Sequence, residues 1–87
     1  MKRPVDAVAE LRTAVACADE LGSPPARWGI RAALGEALYA VRDDDGAGRA
    51  FGEAAGVIRD VAHGLAAERA KQLLAAPQVA EIMTAGR

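Results

Sequence analysis

The sequence predicts an all-α fold built of antiparallel helical hairpins, and three observations lead there. Apolar residues recur at three- and four-residue spacings along most of the chain, which is the period of one face of a helix. The interruptions are short and carry turn or cap chemistry: Gly22-Ser23-Pro24-Pro25, Asp43-Asp44-Asp45-Gly46, Gly64 and Ala76-Pro77. No stretch makes a convincing β-strand.

Taken in order, Pro4 suits the first turn of a helix, where a missing N–H is no loss. Val5, Val8, Leu11, Val15, Ala18 and Leu21 then form a stripe that ends at Gly22, a C′ residue. Ser23 is placed to cap the second helix and Pro24 or Pro25 to open it, giving a helix from about Pro25 to Arg42. Its main stripe is Ile30, Leu34, Leu38 and Val41. A second stripe, Trp28, Ala32, Gly35 and Tyr39, carries the only Trp and the only Tyr. That stripe either packs against the first helix or lines a ligand groove, with Glu36 beside it.

The acidic run caps a third helix from about Gly46 to His63, with Asp45 or Asp44 accepting from unpaired first-turn N–H groups. Phe51, Ala54, Ala55, Ile58 and Ala62 form its stripe. Gly48, Gly52 and Gly56 fall every fourth residue along its flank, and each costs about 1 kcal/mol of helix stability relative to Ala. A close helix crossing is the expected compensation, and a self-association face the alternative. A shorter helix is expected from Leu65 to Ala75, ended by Ala76-Pro77. Gln78 to Thr84, with Val79, Ile82 and Met83, adds a last turn or two.

Leu34, Gly35, Leu38, Ala47, Phe51 and Ala54 stand at the spacing of a tetratricopeptide repeat, and the Leu34–Ala54 stretch resembles that family. The resemblance implies that Gly35 and Ala47 sit where two helices approach closely, and that Phe51 fills the space between hairpins. Two positions depart from the pattern. Arg31 stands where a large apolar residue is expected, and Arg59 where a proline would end the second helix of the repeat. That helix should therefore run on. Ala7, Leu11 and Ala14 repeat the spacing of Ala47, Phe51 and Ala54 at an offset of 40 residues, so the first helix reads as the second half of a preceding repeat. The tail from Leu65 to Ile82 is similar to the segment that closes repeat arrays in large bacterial signalling ATPases and transcription regulators. As a cap it would cover the open face of the last hairpin. The chain thus divides into a partial repeat (1–22), a full hairpin (23–63) and a C-terminal cap (64–87). It is one small domain or a piece of a larger protein.

Composition narrows the function. The 87 residues have a net charge of −1 with mixed signs, whereas direct nucleic-acid binding needs a clustered basic face. Alanine supplies about a quarter of the chain and aromatics 3%, so the core is thin. At this length roughly 60–65% of the unfolded surface is buried, and stability is marginal without help. No apolar run approaches the roughly 20 residues of a membrane span. Met1-Lys2-Arg3-Pro4 followed by Asp6 and Glu10 does not read as a signal peptide, and a cytoplasmic location is the default.

Catalytic chemistry finds little to hold. His63, the only histidine, sits near a helix end, where a cation meets the negative end of the helix dipole. Cys17, the only cysteine, borders the first stripe and reads as a small apolar residue rather than a reactive thiol. Asp43-Asp44-Asp45-Gly46 lacks the alternating ligands and terminal Glu of a calcium loop. No zinc spacing, serine triad or phosphate loop is present, so neither a cofactor nor a metal is expected. The expected function is a non-catalytic protein-interaction module that offers Trp28, Ala32, Glu36 and Tyr39 to a partner peptide or helix. A structural domain that forms a homodimer, or caps a regulator, is the alternative.

Overall fold

The computed structural model describes residues 3–86, so the Met1-Lys2 end of the N-terminal reading lies outside it. Its first helix, α1 (Pro4–Leu21), ends where Gly22 turns left-handed at φ 74° and donates its N–H to the Ala18 carbonyl at 3.0 Å. Glycine adopts that conformation without a steric penalty, so the expected stop is the observed one.

The second helix, α2 (Pro24–Ala40), starts after Ser23, but the serine hydroxyl makes no cap hydrogen bond. The expected side-chain cap is therefore absent. Pro25 at N2 removes one of the two N–H groups that such a cap would serve, and the helix starts on proline geometry instead. Its far end is unusual. Arg42 N–H donates to the Tyr39 carbonyl at 3.0 Å and Asp43 N–H to the Leu38 carbonyl at 2.9 Å. This pair of bonds is the Schellman motif, and it places Arg42 at φ 64°, in the left-handed region where glycine is usual.

That tight reversal moves the next cap one residue earlier than expected. Asp43, rather than Asp44 or Asp45, caps α3 (Asp44–His63), accepting from the Gly46 N–H at 2.9 Å. Asp44 and Asp45 fall in the first turn, where their charge complements the helix dipole. His63 closes the last turn, as the sequence suggests, and α3 extends past Arg59. Two short helices follow, α4 (Ala67–Ala75) and α5 (Pro77–Ala85), hinged at Ala76, whose backbone is extended (φ −60°, ψ 131°). The fold is all-α, with no strand among the described residues. Also among the described residues, no helix is long and apolar enough to cross a membrane.

Packing follows chain order: α1 lies on α2, α2 on α3, and both α4 and α5 on α3. The Cα radius of gyration is 13.1 Å, against about 12 Å for a compact domain of this length, so the helices form an elongated stack. Two apolar clusters hold it. Leu34, Leu38, Ala47 and Ala50 form the first, with Val8, Leu11 and Val15 of α1 against them. Ala32, Ala54, Ile58, Val79 and Ile82 form the second, with Trp28, Leu73 and Met83 packed on it. Phe51 touches both, as the space-filler between hairpins was expected to do. Alanines make up half of the buried apolar residues, so the core is as thin as the composition suggests.

Glycines decide how closely the helices approach, though not those of the α3 flank. A Cβ on Gly35 would lie 2.8 Å from the Phe51 ring, so α2 and α3 meet there at a distance only glycine permits. By contrast, a Cβ on Gly48 or Gly56 would touch nothing within 4 Å, and one on Gly52 would only reach the Gly86 carbonyl at 4.0 Å. The close crossing expected at that flank is absent. The tail meets α3 through a different residue, Gly86, whose added Cβ would stand 2.8 Å from the Phe51 carbonyl oxygen and the Ala55 methyl.

Arg31 joins three helices through polar contacts. Its side chain is only 12% exposed and lies among three helices. Nη1 and Nη2 each donate to one oxygen of Asp19 on α1 at 2.8 Å, and Nε stands 3.6 Å from Glu53 on α3. Arg27 Nε adds a bond to Asp19 at 3.2 Å. The fork of donors and the buried stem thus join the three helices. These bonds, Arg31's first, hold the Asp19 carboxyl down at about 2 from its ordinary 3.8.

Candidate functional site

A cleft of about 180 Å³ lies between α2 and α5. Ala32 and Glu36 supply the α2 wall, Gln78, Glu81, Ile82 and Ala85 the α5 wall, and Phe51 of α3 the base. The elements explain the placement. Ala32 and Glu36 are one helical turn apart, so both face α5, the first buried and the second exposed. On α5, residues 78, 81, 82 and 85 share one face, with Ile82 buried beneath the exposed Gln78, Glu81 and Ala85. The result is an apolar floor with a polar, acidic rim.

Of the four residues expected to meet a partner, the fold brings two into this cleft. Ala32 and Glu36 line it; Trp28 and Tyr39 do not. Trp28 is half-buried and packs on the Ala32–Ile58–Ile82 cluster, which is built from α2, α3 and α5 rather than from α1, the helix expected to meet that stripe. Tyr39 is 68% exposed. The covering helix runs out at Ala85–Gly86, beside Glu36 and Phe51, and Tyr39 lies almost a turn further along α2. The α5 half of the cleft was missed because the tail reads from sequence only as a cap. Its signal was present: Gln78, Glu81, Ile82 and Ala85 have the spacing of one helical face.

A second depression, of about 60 Å³, lies where α1, α2 and α3 meet. Arg12, Arg49 and Glu53 surround Leu34 and Leu38 there, and the space is that of about two water molecules. Cys17 is exposed, which corrects its reading as a small packing residue: Ala14 and Ala18 take the inward positions of α1, and Cys17 falls on the outside. Among the described residues no group of three or more His, Cys, Asp or Glu side chains could hold a metal ion. No family model, no curated protein and no solved structure matches the chain.

Proposed function

We propose that this chain is a non-catalytic protein-interaction module of the tetratricopeptide type, which holds a peptide or helix of a protein partner against α2. The cleft between α2 and α5 carries the reading. It is concave, has an apolar floor with a polar rim, and includes Ala32 and Glu36 from the stripe expected to face a partner. Helix-in-groove recognition needs those features: an apolar slot for an anchor and polar edges that fix orientation. Selection of a phage-displayed peptide library on the immobilised chain tests this. Peptides should be enriched on the wild type and lost on Ala85→Trp, which fills the cleft from an exposed helical position. Enrichment indifferent to Ala85→Trp, or none above a blank surface, refutes the proposal.

A structural, self-associating domain is the second reading, favoured by exposed apolar side chains at the two ends of α1. Val5 is 60% and Leu21 81% exposed there. The same helices would suit the closing segment of a longer repeat array in a bacterial regulator or signalling ATPase, as the tail's resemblance implies. Light scattering over a tenfold concentration range separates the readings: a mass near the 9.0 kDa of one chain favours the module, and twice that favours the dimer.

A further inference from the structure

Glu36 and Glu81 stand on different helices yet line the same cleft, and both are exposed. Neither forms an ion pair or a side-chain hydrogen bond among the described residues, although the chain holds 11 Lys and Arg residues. The cross-helix cations are committed elsewhere: Arg27 and Arg31 to Asp19, and Arg31 to Glu53. Among the described residues no cationic side chain lines the cleft, and Gln78 adds an amide to its rim. Beneath these groups the surface is apolar, from Ala32, Phe51, Ile82 and Ala85.

Size narrows the occupant. About 180 Å³ is the room of about six water molecules at roughly 30 Å³ each. Pockets for drug-sized ligands begin near 300 Å³, so the space suits a single long side chain. Sign narrows it further. Two unpaired carboxylates above an apolar floor complement an aliphatic stem that ends in a cation. A guanidinium has donors enough to reach both carboxylates and the Gln78 carbonyl. We infer that the cleft between α2 and α5 receives one arginine or lysine side chain from a basic segment of a partner protein. The inference rests on the interaction-module reading and names the chemistry of its partner.

The probe is a blocked heptapeptide with one central arginine among alanines and leucines. It is titrated into the ¹⁵N-labelled chain beside two counterparts, with uncharged citrulline or with glutamate at the centre. The arginine peptide should shift the amide resonances of Ala32, Glu36, Glu81, Ile82 and Ala85, and added salt should weaken it. Glu36→Gln and Glu81→Gln lie at exposed positions and leave the fold intact by circular dichroism. Each should weaken binding about two- to fivefold, the range an exposed ion pair supplies. If the citrulline or glutamate peptide binds at these amides as tightly as the arginine peptide, the charge inference fails and the groove reading stands. If none of the three shifts them, both fail. If these resonances move when the free chain is diluted, a second copy fills the cleft, and the inference is overturned in favour of self-association.

Discussion

Alanine substitution at three glycines separates covered from open helix surface, because the same change should act in opposite directions. Gly48 and Gly56 lie inside α3, and a Cβ on either would touch nothing within 4 Å. Each Gly→Ala change there should return the helix-propensity difference of about 1 kcal/mol. The two sites are two turns, or about 12 Å, apart along the axis, so their effects should add to about 2 kcal/mol. For a domain of this size that raises Tm by on the order of 10 °C. Gly35→Ala carries the same propensity gain but sets a methyl 2.8 Å from the Phe51 ring. That ring touches both apolar clusters, so displacing it disturbs packing on two sides. Overpacking of this kind costs about 1–3 kcal/mol, so the net change should be a loss of about 1 kcal/mol.

Thermal unfolding followed by circular dichroism at 222 nm, at two concentrations tenfold apart, reads both signs. Phe51→Leu provides the internal control: with the ring gone, Gly35→Ala should turn neutral or stabilising. Loss of stability in Gly48→Ala or Gly56→Ala would mean that the α3 flank is covered in solution. A Gly35→Ala chain more stable than wild type would mean that α2 and α3 do not approach as closely as described.

Three other outcomes follow from single residues. Arg42→Gly should raise stability by about 1 kcal/mol in urea titration, since φ 64° is strained for arginine and free for glycine. Trp28→Ala should lower stability by about 3 kcal/mol, the low end for a tryptophan because Trp28 is only partly buried on the second cluster; an unchanged denaturation midpoint would put it in a groove instead. The Asp19 carboxyl, held at about 2 mainly by its hydrogen bonds from Arg31, contributes stability that is complete above its ordinary value of 3.8 and is lost as pH falls through about 2. The stability gap between wild type and Asp19→Asn, followed by urea titration, should therefore close as pH drops from about 4 to about 2.

Helix number and order were legible in the sequence because period and punctuation agree: Gly22, the Asp43–Gly46 turn and Pro77 each mark a boundary for a local reason. The details that were not legible depend on partners distant in sequence. The repeat-like spacing singled out Gly35, which does face a ring, but nothing local showed that Gly48 and Gly56 face open space. The cap at Asp43 rather than Asp44 follows from the left-handed backbone of Arg42, which no propensity would have assigned to arginine. Half of the candidate site was visible as the Ala32–Glu36 edge of α2. The other half arose only when α5 folded back across it, and where α5 stops decides that Tyr39 lies outside the cleft.

Arg31 links this thin core to the shape of the site. The apolar clusters are half alanine, so helix registry has few large side chains to define it. The guanidinium supplies what they lack, because its donors fit the two oxygens of Asp19 in one orientation while its Nε stands 3.6 Å from Glu53. A large apolar residue at this position would bury more surface but would allow α1 and α3 to slide along α2. Ala32, the next residue along α2, is both part of the second cluster and a wall of the cleft. Fixing α2 against its neighbours at Arg31 therefore also fixes where Glu36 stands, one turn on from Ala32, relative to Glu81. The polar clamp and the acidic cleft are thus linked through one residue, an arginine buried between the helices.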